Sequence, residues 1–252
     1  MNLEILFTAR ERLAFTKATF ELLIRNTNWN AVTRMVVIDD ESGKESKFWL
    51  SEKVVELNRS GNYPEIEMWH TKLHSPPALM NHFIERTACD VFAKIDNDIA
   101  LPPFWLENML SVWTSQEIEL LGMEAGQTKM AGRDGVLLDG AFGFEECTHI
   151  GGVGLMNAER FRQLPPIPVR GYFGWTEHQQ LYRWIRGWIT PDIPCPQLDR
   201  IPEEPWLSLT AYYKQRGWNR DWPPYEKISA PYWSWIPHDI IELVGPVREG
   251  IA

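Results

Sequence analysis

Residues 91–105 read VFAKIDNDIALPPFW. Val91, Phe92, Ala93 and Ile95 make the apolar run of a buried strand, yet it meets Asp96 and Asp98 and then stops at Pro102-Pro103. A strand covered on both faces is apolar along its length, and its polar residues gather at its carboxyl end, where ligands of open α/β sheets bind. Residues i and i+2 of a strand point the same way, so the spacing predicts that Asp96 and Asp98 face one point. Two carboxylates that close repel unless a cation lies between them. Oxygen donors suit a hard divalent ion, Mg²⁺ or Mn²⁺, sharing its other positions with phosphate and water. Lys94, two residues earlier, is expected on the same face, reaching an acid or a phosphate.

Outward from this stretch, strands are predicted at Leu3–Ala9 (LEILFTA), at 33–40 (TRMVVIDD) and at 66–71 (IEMWHT), with 91–98 as the fourth. Helices are predicted over 11–27, 48–61, 77–90 and 103–113. Four alternations of strand and helix, with strands read as apolar on both faces, argue for a mostly parallel sheet flanked by helices. Polar groups cluster at three of the strand ends: Thr8 and Arg10, Asp39 and Asp40, Asp96 and Asp98. Further on, 118–126 and 149–164 read as strand, glycine turn and strand running into a helix, and 176–188 as one helix. After Thr190 the chain is dense in proline and tryptophan.

The chain has 252 residues and a net charge of −9, enough length for one large domain with a substantial core. It reads as one domain of two lobes, 1–157 and 158–252. The first holds 14 Lys/Arg against 23 Asp/Glu, while residues 158–235 hold 10 against 8. Eight of the 13 tryptophans lie beyond residue 170, so an acidic lobe stands beside an aromatic, slightly basic one. No apolar run approaches the ~20 residues of a membrane span, and residues 1–15 lack the pattern of a secretory signal. Three scattered cysteines, Cys89, Cys147 and Cys195, fit a reducing, cytoplasmic setting and no zinc site.

The segment NHFIERTACDVFAKIDNDIALPPFWLENML (81–110) resembles the D-x-D region of GT-A glycosyltransferases, particularly the family-2-like group. MVVIDDES (35–42) resembles their second strand, and GGVGLMNAERF (151–161) followed by GYFGWTEHQQL (171–181) resembles their later half. The likeness covers roughly residues 3–185, with its three motifs in the expected order. It implies the GT-A fold, a Rossmann-like sheet with an aromatic acceptor lobe, and a nucleotide-diphosphate sugar, UDP by default, as donor. Thr8, Ala9 and Arg10 would line the nucleotide, Asp39 or Asp40 would meet base or ribose, and Asn81 and Lys94 would help hold the donor. Asp96 would sit by ribose and metal and Asp98 on the metal. His238 is a third metal candidate, and an imidazole beside two carboxylates favours Mn²⁺ over Mg²⁺. Glu177 or His178 would deprotonate the acceptor; chemistry favours Glu177, although the sequence has Thr-Glu-His where many relatives have Glu-Asp. Gly152, Trp175 and Trp233 are expected at the acceptor. A base and a metal on opposite sides of the sugar imply inversion. His70, His74, His82 and His149 are expected to be structural.

The expected acceptor is a glycan, because tryptophan faces stack on sugar rings. RWIRGW (183–188) and YYKQRGWNRDW (212–222) interleave basic and aromatic residues and raise a hydroxylated DNA base as an alternative, against which the acidic net charge argues. A nucleotidyltransferase is a rival, but no glycine follows the first strand in LFTARERLAFTK. A silent glycan-binding module is another, and the intact Asp96, Asp98 and Glu177 speak against it.

Overall fold

The structure is a computed structural model that describes residues 1–115, 118–123, 144–146, 149–169, 173–182, 185–188 and 236–244. Its first half follows the alternation. Strand β1 (Leu3–Ala9) leads to helix α1 (Leu13–Asn26), β2 (Arg34–Asp40) to α2 (Lys44–Ser60), β3 (Glu65–Thr71) to α3 (Pro76–Ile84), and β4 (Val91–Asp96) to α4 (Trp105–Ser115). The chain continues through β5 (Leu120–Gly122), β6 (Phe144–Glu146), β7 (Val153–Asn157), α5 (Ala158–Gln163), α6 (Phe173–Gln179), β8 (Ile185–Trp188) and α7 (His238–Val244). The strands form one sheet in the order β3-β2-β1-β4-β7-β5-β8-β6.

Strands β1 to β4 run parallel, while β7 lies antiparallel between β4 and β5. The chain builds outward from β1 to β2 and β3, then crosses back to place β4 on the other side of β1. The sheet therefore changes winding direction between β1 and β4, the position where open α/β sheets leave a crevice at their carboxyl edge. Thr8 and Asp96 are register partners at that edge.

Side-chain alternation sorts the core into two layers. Leu3, Ile5, Phe7, Met35, Val37, Ala93 and Ile95 point to one face, where they pack with Phe20 and Leu23 of α1, Leu50 and Val54 of α2, and Trp105 and Met109 of α4. Leu6, Val36, Ile38 and Phe92 point to the other, against Leu79 and Phe83 of α3, Phe161 of α5 and Trp175 of α6. Helix α7 closes a smaller cluster, setting Ile240 and Val244 on Ala18 and Leu22 of α1 beside Ala100.

Four differences from the sequence reading have local causes. Strand β3 is the sheet edge and only Ile66 in it is buried, so it is not apolar on both faces. Helix α2 starts at Lys44, four residues early, because the Glu11 carboxylate accepts a hydrogen bond from the Gly43 N–H at its N-terminus. Helix α3 stops at Ile84: beyond it the Thr87 hydroxyl donates to Glu4 and draws the chain off the helix axis. The helix expected over 176–188 is α6 followed by strand β8. The open edge of β5 pairs with Ile185–Gly187 and satisfies their backbone, an outcome that a short apolar run cannot reveal. The aromatic segment 189–235, Trp233 included, lies outside the described residues, as do Cys147 and Cys195.

Candidate active site

The carboxyl edge of β1–β4 concentrates backbone strain and charge. Among the described residues, five non-glycine residues have left-handed backbones: Glu11 and Arg12 after β1, Glu41 after β2, His74 after β3 and Phe104 after β4 (φ 53 to 61°). Each such residue costs on the order of 1 kcal/mol or more and persists only where its surroundings hold it.

The two acids of the D-x-D triplet are held separately. Strand β4 ends at Asp96, and the turn that follows is tethered to α1: Asn97 donates to Thr16 Oγ1 (2.8 Å), and the Ile99 N–H donates to Thr19 Oγ1 (3.0 Å). Asp98 therefore leaves the strand's period. Its Oδ2 accepts from the Arg12 guanidinium at 2.8 Å, with both side chains mostly buried. Arg12 also lies over the Phe15 ring, 4.4 Å from its centroid. Asp96 Oδ1 sits 2.5 Å from Lys94 Nζ, and Lys94 is almost wholly buried. The Thr8 hydroxyl donates to the same oxygen over a long 3.5 Å. The Asp96 carboxyl is raised above its ordinary range chiefly by burial, with Lys94 opposing and Asp98 adding to the rise. The two acids thus feel one another although each has its own cationic partner.

Gly152 forms the wall beside Asp96. Its carbonyl accepts from the Asp96 N–H (3.1 Å), and a Cβ there would stand 3.0 Å from Asp96 Oδ2 and 2.9 Å from Ile99 Cδ1. No side chain fits without displacing the carboxylate. Gln179 of α6, fully buried, accepts from the Ile150 N–H at 2.7 Å. That bond ties α6 to the segment entering β7, two residues before Gly152. Glu177 is exposed on the same helix.

Around Asp39 and Asp40 the rim is braced internally. Asp39 accepts from the Ser42 N–H and meets His70 Nδ1 at 3.3 Å; Asp40 accepts from the Thr71 hydroxyl (2.9 Å) and the Leu73 N–H (2.7 Å). Both are buried, and alternation along β2 sends them to opposite faces. Arg10 donates to His74 Nδ1 (2.8 Å), which leaves the imidazole proton on Nε2, directed at Glu41 2.8 Å away. Ala9, at the end of β1, is buried.

The structure brings together Thr8, Lys94, Asp96, Asp98 and Gly152, and sets Ala9, Arg10, Asp39 and Asp40 along the same rim. It does not bring in four others. The Asn81 amide is spent on the backbone of Ile167, donating to its carbonyl and accepting from its N–H at 2.9 Å each, so it braces α3 rather than facing a donor. Trp175 is a core residue stacked on His178. His178 is buried, its Nε2 donates to the Pro165 carbonyl at 2.8 Å, and burial lowers its basicity, so Glu177 is the accessible one of the two base candidates. His238 stands at the exposed start of α7, paired with Glu242 at 3.2 Å. Among the described residues no set of three or more acids, histidines or cysteines converges on one point. Sequence reasoning missed Arg12, whose position was read as an early helical turn; a long cation next to Arg10 at a strand end was the only available signal.

The D-x-D donors fit a divalent cation. Asp96 and Asp98 are hard oxygen ligands, and among the described residues each keeps one carboxylate oxygen that no protein donor engages.

No protein-family model matches the sequence, and no curated protein sequence matches it. Solved structures do. A mannosyltransferase from Pyrobaculum calidifontis, solved with GDP-mannose and Mn²⁺, superposes with a TM-score of 0.59 at 10% identity over 96% of this chain and 69% of its own. TarS 1-349 of S. aureus gives 0.56 at 10% identity over 90% of this chain and 67% of its own. GalNAc-T7, solved with UDP, GalNAc and Mn²⁺, gives 0.53 at 13% identity over 76% of this chain and 44% of its own. The chain has the GT-A glycosyltransferase fold. No helix among the described residues is long and apolar enough to cross a membrane.

Proposed function

We propose that the protein is a metal-dependent glycosyltransferase that moves a sugar from a nucleotide diphosphate, UDP foremost, to a hydroxyl of a glycan acceptor with inversion. One observation carries the reading: Asp96 ends β4 at the switch point of a GT-A sheet, beside Thr8 of β1, with Asp98 in the turn that follows. The fold neighbours support it, two having been solved with nucleotides and Mn²⁺.

Asp96 and Asp98 would hold the cation, Mn²⁺ or Mg²⁺, which when bound supplies positive charge against the departing diphosphate. Thr8, Ala9 and Arg10 line the nucleotide, and Asp39 fixes the rim loop at Ser42 from which base and ribose are met. Lys94 holds Asp96 in place and opposes the rise that burial imposes on its carboxyl. Glu177, on a helix positioned through Gln179, accepts the proton of the attacking hydroxyl.

The test is turnover and binding with UDP- and GDP-sugars, with and without Mn²⁺. Asp98→Ala should abolish metal-dependent nucleotide binding. Glu177→Gln should keep donor binding and lose at least about 100-fold in kcat. The reading fails if neither sugar nucleotide binds the wild type with metal, or if Asp98→Ala turns over normally.

A further inference from the structure

Arg12 and Lys94 give the D-x-D acids a protein-borne set of counter-ions. Two carboxylates and two cationic side chains, all mostly buried, stand together, with Arg12–Asp98 and Lys94–Asp96 as close pairs. A divalent cation entering alone would add two positive charges to this mostly buried cluster, and a sugar-linked diphosphate alone two negative ones. Entering together, they cancel. A cation at the other oxygen of Asp98 would also meet the charge of Arg12, which already holds Oδ2.

The two cations differ in freedom. Lys94 lies inside β4 between β1 and β7, opposite Leu6 and Gly154. Arg12 sits in the loop between β1 and α1, on a left-handed backbone, at the edge where a donor diphosphate would lie. Its guanidinium forms paired hydrogen bonds with phosphate as readily as with carboxylate.

We infer, resting on the proposed function, that Arg12 occupies the place of the divalent cation at Asp98 in the empty enzyme and transfers to the donor diphosphate when metal and donor load together. Arg12 is thus a positioning residue that couples metal and nucleotide binding and keeps the metal from binding productively without donor.

Calorimetry tests this with MnCl₂ alone, UDP or GDP alone, and each nucleotide with MnCl₂, on wild type, Arg12→Gln and Arg12→Lys. In the wild type, metal and nucleotide should each raise the other's affinity by about tenfold or more. Arg12→Gln should bind Mn²⁺ alone about tenfold more tightly and lose most of that coupling, while Arg12→Lys, retaining charge without the fork, should fall between. Circular dichroism confirms folding, and the lysine variant carries the comparison if the glutamine variant is unfolded. Unchanged or weaker Mn²⁺ affinity in the folded variants overturns the inference. A wild type that binds neither nucleotide with metal defeats the glycosyltransferase reading instead, and the metal-only comparison still decides the role of Arg12.

Discussion

Replacing Lys94 by methionine isolates the electrostatics of the site in the metal-free protein. The Lys94 side chain is 4% exposed and its ammonium lies 2.5 Å from Asp96 Oδ1. Methionine fills the volume of the alkyl stem and removes only the charge. What remains is an Asp96 carboxylate without its partner, within reach of Asp98's field. Removing one member of a buried pair ordinarily costs about 3–5 kcal/mol, and the 30% of its side-chain surface that Asp96 keeps open to solvent discounts that figure. The cost also has a ceiling, because the carboxyl can take a proton instead of standing charged. Protonating an ordinary aspartate, with a reference value of about 3.9, costs about 4 kcal/mol at pH 7 but only about 1.5 kcal/mol at pH 5. Lys94→Met should therefore destabilise by about 2–4 kcal/mol at pH 7 and by no more than about 1.5 kcal/mol at pH 5. The sign follows from proton binding. The folded variant holds a proton on Asp96 at pH values where the unfolded chain has released it, so the deficit grows as pH rises. Adding Asp96→Asn removes the stranded charge, and the double variant should regain most of the loss. Urea unfolding of the wild type, Lys94→Met, Asp96→Asn and the double variant at both pH values, in chelator, supplies the numbers. Equal costs at pH 5 and 7, or a double variant no more stable than Lys94→Met, would show that Lys94 is not the counter-ion of Asp96.

Two other perturbations follow from close contacts. In Gly152→Ala the new methyl meets Ile99 Cδ1, which can swing, and Asp96 Oδ2 at 3.0 Å, on a carboxylate that Lys94 holds through its other oxygen, Oδ1; the expectation is about 1 kcal/mol of lost stability with at least about tenfold weaker UDP binding in Mn²⁺, and unaltered calorimetric affinity would count against a carboxylate fixed by that wall. His178 is depressed by burial, so the unfolded chain takes up its proton near the usual value of about 6.5 while the folded chain resists, and stability falls as pH drops through that region. His178→Gln, which keeps a donor for Pro165, should flatten the decline in melting temperature between pH 7 and 5 without abolishing it, because His82 and His149 are depressed as well; an unchanged slope would refute the assignment.

The parallel half of the sheet was readable because its central strands are buried on both faces, and a continuous apolar run of strand length that ends in polar residues marks such a strand. The same logic located Asp96 and Asp98, since a strand's carboxyl end is set by local sequence. Their partners were not readable. Asn81 to Ile167, Arg12 to Asp98 and Gln179 to Ile150 join residues that are distant in the chain. No periodicity encodes them. The strand period does not set the direction of Asp98, because β4 ends at Asp96 and Thr16 and Thr19 of α1 hold the turn that follows. Trp175 and His178 came to the site through the resemblance of 171–181 to a family motif, whereas α6 buries both in the core and leaves Glu177 outside. β8 looked helical because four residues cannot display a period, and only the unpaired edge of β5 decided the matter.

Energetically the molecule divides into two parts. Two apolar layers on either side of β1–β4 supply the stabilisation, and the strained and charged residues sit together at one edge. Left-handed Glu11, Arg12, Glu41 and His74 are all engaged by side-chain hydrogen bonds or ion pairs of the rim itself. Their strain is therefore opposed by contacts that depend on one another: Glu11 caps the entry to α2, Arg12 holds Asp98, and His74 links Arg10 to Glu41. A ligand that withdraws Arg12 from Asp98 or Arg10 from His74 removes part of what holds those backbones in place. Such a rim responds to a charged ligand by exchanging partners, while the buried strands beneath keep the positions of Thr8, Lys94 and Asp96 fixed. On the proposed function, that division would give Asp96 a rigid scaffold and a donor a movable set of cations, with the strain collected at the carboxyl edge of β1–β4.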